Sequence, residues 1–191
     1  VIDLGVKENT LRCLADRGCY VKVFPMNTSF EEMEKFNPQG YLVSNGPGDP
    51  AVMPAMVDTV KKILNSDKAL MGICLGHQML AEACGIKTFK MFNGHRGINH
   101  PVKNMVTGRA EVTSQNHGFG VIPEETINKA EIEITHVNLN DQSIEGISVK
   151  NKKAFSVQYH PEAAPGPNDA RYLFDNFVSS VREVKEQAVT V

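Results

Sequence analysis

A chain of 191 residues holds one domain, or one with a small appendage. Its 20 basic and 22 acidic residues leave a net charge of −2, which excludes the strongly basic footprint of a nucleic-acid binder. With 41% hydrophobic and 22% charged residues it reads as a folded globule rather than a disordered segment, and no apolar run approaches the roughly 18 residues that span a bilayer.

The chain opens Val1-Ile2-Asp3, without Met and without a signal peptide, and reads as a piece beginning inside or just before a strand. Lys7–Arg17 places Leu11, Leu14 and Ala15 at helical spacing and stops at Gly18. Cys19–Phe24 alternates like a strand and ends at Pro25. Tyr41–Val43 is a short apolar strand that runs into Ser44-Asn45-Gly46-Pro47-Gly48-Asp49-Pro50, a dense turn signal. An amphipathic helix is expected over Met53–Leu64, a continuous apolar strand over Ala69–Ile73, and a second helix over Gly76–Cys84. Such alternation predicts a parallel sheet covered on both faces.

The second half reads differently. Ile86–Met91, Arg109–Thr113, Ile132–Val137, Ile144–Val149 and Ala154–Tyr159 resemble strands, and Asp169–Val184 a closing helix with Tyr172, Leu173, Phe177 and Val181 on one face. The expected fold is therefore α/β, a single open mixed and mostly parallel sheet with helices on both faces. Its second half carries an antiparallel extension. No repeat, low-complexity tract or linker divides the chain, so residues 1–191 form one domain.

The strongest chemical signal is Gly72-Ile73-Cys74-Leu75-Gly76, a G-x-C-x-G between a buried strand and a helix. A nucleophile there sits on a sharp turn that small flanking residues allow to close. The helix N-terminus behind it favours a thiolate and a nearby oxyanion. The plainer alternative is a buried structural cysteine. A thiol nucleophile needs a base, and the base an orienting group. Among six histidines, His160 follows the strand Ala154–Tyr159 at its carboxyl end, the edge where Cys74 also lies. Pro161 turns the chain out of the sheet, and Glu162 can then hold the imidazole tautomer. The plainer alternative is a strand-end histidine beside a solvated glutamate. Cys74 tips the choice toward a nucleophile–base–orienter set.

Other positions carry weaker signals. His77 reads as structural, and Gln78, on the first helical turn, as an amide available to a substrate. Ser44–Pro50 lacks the phosphate-loop lysine and reads as a rigid backbone wall. Asn116–Phe119 reads as a polar turn. Gly94–His100 reads as a loop contacting substrate or partner. His95 and His100, with no adjacent carboxylate, make a poor metal site, and none of the four cysteines forms a CxxC or zinc-spaced cluster. No metal is expected, and the cysteine usage suggests a reduced, cytoplasmic setting.

Gly72-Ile73-Cys74-Leu75-Gly76-His77-Gln78 with His160-Pro161-Glu162 resembles the class I (triad) glutamine amidotransferases. Ile2–Lys7, Ser44–Pro50, Thr113–Phe119 and Phe155–Pro167 are similar to the small chains of carbamoyl phosphate synthetases, so that the resemblance covers essentially the whole sequence. It implies a flavodoxin-like amidotransferase sheet with Cys74 as nucleophile, His160 as base and later acid, and Glu162 as orienter. It implies further that the Leu75 and Gly46 N–H groups form the oxyanion hole. Gly46, Gly48, Leu75, Gln78, Asn116, Gly118 and Phe119 would line a pocket for L-glutamine. Ammonia would pass to a carbamoyl phosphate synthetase large chain that feeds pyrimidine and arginine synthesis. This chain has no ATP signal, so no cofactor is expected on it; ATP, Mg²⁺ and bicarbonate would belong to the partner. The family's N-terminal small-chain domain has no counterpart here. The same chemistry with another ammonia acceptor, and a binding module that has lost catalysis, are the competing readings.

Overall fold

The computed structural model describes residues 1–189. Its elements run β1 (Ile2–Asp3), α1 (Glu8–Ala15), β2 (Phe24–Pro25), α2 (Phe30–Glu34), β3 (Gly40–Val43), a 3-10 turn (Pro50–Val52), α3 (Pro54–Asn65), β4 (Ala69–Ile73) and α4 (Leu75–Ala83). They continue with β5 (Thr88–Asn104), β6 (Ala110–Val121), α5 (Pro123–Ile127), β7 (Ile132–Asn138), β8 (Ile144–Val149), β9 (Ala154–Val157) and α6 (Tyr172–Val189). The strands form one sheet in the order β2-β1-β3-β4-β9-β8-β7-β5-β6. From β2 to β9 every ladder is parallel, and from β9 to β6 every ladder is antiparallel. This is the α/β architecture expected, with β9 as the strand where direction changes.

Side-chain alternation on fully buried strands builds two cores. Tyr41, Val43 and Leu70 face one core with Met56, Val60 and Ile63 of α3 and Met79 and Leu80 of α4. Leu42, Ala69, Met71 and Ile73 face the other, with Leu14 of α1 and Leu173, Phe174 and Phe177 of α6. All five residues of β4 are buried, so this strand needs apolar side chains on both faces. That explains why its limits are those expected from composition.

Several expectations are corrected. The strand expected over Cys19–Phe24 pairs only at Phe24–Pro25, because its partner β1 offers just Ile2 and Asp3. Gly94–His100 is not a loop and Asn116–Phe119 is not a turn. They face each other inside the β5–β6 ladder (His95 opposite His117, Arg96 opposite Asn116), with register shifts between Lys90 and His95 and between Gly97 and His100. The last helix starts at Tyr172 rather than Asp169, since Asn168–Arg171 forms a turn and the Asp169 carboxylate accepts from Val112 N–H at 3.0 Å. Two five-residue helices, α2 and α5, went unanticipated; neither is long enough to display a period.

Candidate active site

Registers place the chemistry at one edge. Ile73 pairs with Val157, so Cys74 and the segment leading to His160 leave adjacent parallel strands at their carboxyl ends. Cys74 N–H donates to Val157 O at 2.9 Å, tying the turn to β9. Cys74 has φ 54° and ψ −102°, a strained left-handed backbone for a non-glycine residue. The flanking glycines make that turn possible. A Cβ on Gly72 would run into the Gly76 backbone, and one on Gly76 into Val43 O. The G-x-C-x-G pattern is thus a steric requirement of the strand-to-helix elbow.

Cys74 is 5% exposed and lines a cavity of about 740 Å³. Its Sγ makes a long contact of 4.0 Å to Asn116 O. Burial, then the charge of Glu162, push the thiol up to about 12, while the Leu75 N–H and Lys7 pull the other way. The resting thiol is therefore protonated and needs a base. His160 lines the same cavity, and its backbone N–H is held by Ser114 O at 2.8 Å. Its Nδ1 lies 2.7 Å from Glu162 Oε1, which assigns the proton to Nδ1 and leaves Nε2 as the basic nitrogen. Glu162 is fully buried. Desolvation raises its pKa, but the His160 hydrogen bond and the charges of His160 and Lys7 outweigh this and hold it below the usual carboxylate range. Lys7 Nζ reaches Glu162 Oε1 and Ala163 O, each at 3.1 Å, and Asn9 Nδ2 donates to Glu162 O. Lys7 and Asn9 sit more than 150 residues away in sequence, and no local signal marks them.

Gly46, Gly48, Gln78, Asn116, Gly118 and Phe119 all line the cavity, together with Lys90 and Arg96. Leu75 is buried behind the thiol at the start of α4. Gln78 differs from expectation. Its Nε2 donates to Phe119 O and to Gln158 Oε1, both at 3.0 Å, so both amide hydrogens are committed and only its carbonyl is left for a ligand. His77 is structural as expected: it is buried, with Nδ1 2.9 Å from Ser156 Oγ, and burial drives its pKa down to about 3.

Behind the wall of the cavity lies a polar cluster that the sequence does not announce. His95 Nε2 lies 2.9 Å from Asp141 Oδ2, and His95 Nδ1 3.2 Å from Glu145 Oε1. The Glu145 hydrogen bond, with that of Asp141, lifts His95 to about 9 against desolvation. His117 stands perpendicular to His95 with ring centres 4.9 Å apart. Burial lowers its pKa. No carboxylate adjoins His95 along the chain, yet the fold supplies two, from the β7–β8 turn and from β8, and the histidine partner comes from β6.

In this open sheet a cysteine elbow at one strand end and a His–Glu pair at the next share one cavity. The family model for "Glutamine amidotransferase class-I" matches residues 1–180, and the chain belongs to that family. Over 185 residues it is 50% identical to the carbamoyl phosphate synthase small chain of Nostoc sp., covering 97% of this chain and 47% of that one. Over 191 residues it is 47% identical to the carbamoyl phosphate synthase pyrimidine-specific small chain of Bacillus subtilis, covering 100% and 51%. The chain thus spans about half the length of the curated relatives it matches. The crystal structure of a protein assigned as a GMP synthase component from Thermoplasma acidophilum shares the fold, with a TM-score of 0.83 at 20% identity over 98% of this chain and 94% of that one. Among the described residues no helix is long and apolar enough to cross a membrane.

Proposed function

We propose that this domain hydrolyses the side-chain amide of L-glutamine and supplies the ammonia to a carbamoyl phosphate synthetase large chain. The observation that carries the reading is the Cys74 elbow sharing one cavity with His160, whose far nitrogen is held by buried Glu162. The relatives' names support the choice of acceptor.

His160 Nε2 takes the Cys74 proton as sulfur attacks the glutamine amide carbon. The Leu75 N–H at the α4 N-terminus and the Gly46 N–H of the cavity wall receive the charge that develops on the amide oxygen. The imidazolium returns the proton to the departing nitrogen, and ammonia leaves a glutamyl thioester on Cys74. His160 then takes a proton from water, whose oxygen attacks the thioester carbon; glutamate leaves and the thiol regains its proton. Glu162, held by Lys7 and Asn9, fixes the tautomer and stabilises the transient imidazolium. Gly48, Asn116, Gly118 and Phe119 shape the pocket. The Gln78 carbonyl suits the substrate ammonium, and Lys90 and Arg96 suit its carboxylate. ATP, Mg²⁺ and bicarbonate act on the partner chain, and the reaction runs in the cytoplasm.

The test is glutamate release from glutamine by the protein, alone and with a carbamoyl phosphate synthetase large chain, for wild type and Cys74→Ala. Cys74-dependent release that rises with the partner supports the proposal. Unchanged release by Cys74→Ala overturns the thioester route, and stimulation only by a different synthetase overturns the acceptor.

A further inference from the structure

Gln115 Oε1, Glu145 Oε1 and the inward nitrogens of His95 and His117 converge behind the cavity wall, with Asn138 Nδ2 3.5 Å from His95 Nδ1. Gln115 Oε1 lies 2.9 Å from His95 Nδ1 and 3.0 Å from His117 Nε2, and His95 Nδ1 lies 3.2 Å from Glu145 Oε1. The Gln115 amide orientation is fixed: Nε2 donates to Thr113 Oγ1 at 3.1 Å, and the Thr113 hydroxyl is spent on His100 O. Both nitrogens of His117 therefore face oxygen acceptors, Gln115 Oε1 on one side and Phe119 O at 2.7 Å on the other. A neutral imidazole has one hydrogen for two acceptors. Glu145 is fully buried, and its Oε2 has no protein partner among the described residues.

We propose that His95 Nδ1, His117 Nε2, the Glu145 carboxylate and Gln115 Oε1 form a binding site for a divalent cation of the zinc class. Tetrahedral zinc with ligands at 2.0–2.1 Å requires ligand–ligand edges of about 3.3 Å. Three ligand–ligand distances, 2.9, 3.0 and 3.2 Å, fall close to that value, and the histidine and glutamate donor atoms all lie within 4.8 Å of one another. Two imidazoles with oxygen ligands are a donor set that zinc accepts. The outer contacts are those that metal-bound histidines need. Asp141 Oδ2 takes the Nε2 proton of His95 and Phe119 O takes the Nδ1 proton of His117, which frees the inward nitrogens as lone-pair donors. Asn138 Nδ2 donates to Glu145 Oε1 at 2.9 Å, steadying the carboxylate. Gln115 and His117 also line the 740 Å³ cavity, which gives the ion an entry path. The site is distinct from Cys74, His160 and Glu162 and does not depend on the glutaminase reading. Occupancy would pin His117 and, through Phe119 O, the acceptor of one Gln78 hydrogen bond.

The experiment uses the protein with Cys74→Ser, so that the elbow thiol does not compete. After chelator treatment and desalting, Zn²⁺ and Co²⁺ are titrated, and bound metal is counted by elemental analysis. One equivalent and a tetrahedral cobalt spectrum without a thiolate charge-transfer band are expected. His95→Gln and Glu145→Gln abolish that binding. Asp141→Asn, at a half-exposed side chain whose turn-holding Oδ1, the acceptor for Ser143 N–H and Oγ, is kept by the amide, weakens it by about 10–100-fold, the usual cost of losing an outer contact to a metal-bound histidine. Thermal melts of each variant identify any that fail to fold, and Asp141→Asn then carries the comparison. Substoichiometric binding in the parent, thiolate ligation of cobalt, or equal affinity in folded Asp141→Asn and the parent each overturns the proposal. Such a result would leave protonation of the histidines as the way the acceptors are satisfied.

Discussion

The two halves of the sheet meet at β9 and differ in what they contribute. In the parallel half, β3 and β4 are buried between α3 and α4 on one side and α1 and α6 on the other. Here the backbone is locked and a strained residue can be held: Cys74 keeps its positive φ because the elbow's neighbours leave no other path. In the antiparallel half, β5 is largely exposed, with only scattered buried positions along its length. Behind the cavity wall this half buries a polar layer of His95, Gln115, His117, Asn138 and Glu145, while Val102, Val121, Ile144 and Ile147 join the apolar cores. The first half holds Cys74 in a fixed backbone and the second offers a more exposed, adjustable wall, and the cavity lies along their seam. Changes in the first half are therefore expected to cost turnover or stability, and changes in the second to alter affinity.

The largest expected effect tests the fixed half. On the proposed reaction, Cys74→Ala lowers glutamate release by about 10⁴-fold or more, because no other group forms the acyl intermediate. The melting temperature moves by only a few degrees, since alanine keeps the Cβ and the elbow backbone and only the buried sulfur is lost. Next come His160→Asn and Glu162→Gln, each expected to lower kcat by about 10²–10⁴-fold. Similar losses for the single and double variants indicate a unit acting through one proton path, whereas additive losses would argue against it.

Acid stability sharpens the same comparison. Glu162 is held below its ordinary value of 4.5. A carboxyl with a lowered folded-state pKa stabilises the fold fully above the unfolded value and loses that contribution as pH falls through the lower folded one. Urea melts between pH 7 and pH 3 should show wild type losing stability in that acid window and Glu162→Gln losing less of it. Parallel curves would mean that the Lys7–Glu162–His160 linkage does not couple to folding.

A packing change separates stability from chemistry. Gly76→Ala places a methyl group against Val43 O of the neighbouring strand, backbone that has no room to yield. Overpacking of this kind costs about 1–3 kcal/mol, or roughly 2–12 °C in Tm for a domain of this size. Gly118→Ala, where a Cβ would meet only Arg96 Nη2 at 3.7 Å, should leave Tm nearly unchanged. Equal losses in the two would erase the distinction between locked and adjustable halves.

Legibility followed the same division. The limits of β4, the G-x-C-x-G elbow and the His-x-Glu at the β9 edge were readable because each rests on local sequence: an apolar run, small residues at a tight turn, a proline that turns the chain out. The antiparallel half was read less well. Gly94–His100 and Asn116–Phe119 look like loops because they are polar and contain glycine. A ladder needs only backbone donors and acceptors, and these strands face a polar cavity rather than an apolar core. Lys7, Asn9, Asp141 and Glu145 were invisible for a different reason. Each acts on a histidine, a carboxylate or, for Asn9, the Glu162 backbone carbonyl, which topology alone brings near, and spacing along the chain holds no trace of it.

The smallest effect belongs to the adjustable wall. Arg96 lies in β5 opposite Asn116, is exposed, and lines the cavity beside Lys90. Among the described residues no acidic side chain forms a salt bridge with it. A hydrogen bond from a guanidinium to a carboxylate contributes about 1.5–3 kcal/mol, so removing it from a partly solvated pocket should raise KM for glutamine by roughly 10-fold or somewhat more. The reacting amide lies at the opposite end of glutamine from the α-carboxylate, so kcat should hold, the signature of binding shared equally by ground and transition states. Arg96→Lys keeps the charge but loses the planar fork, and should fall between Arg96→Ala and wild type. Steady-state kinetics with glutamine and with its α-carboxamide, which lacks the carboxylate charge, distinguish the two contributions. A KM for the carboxamide that is insensitive to Arg96→Ala fits direct contact with the carboxylate. Loss of kcat in Arg96→Ala would instead make β5 part of the fixed machinery.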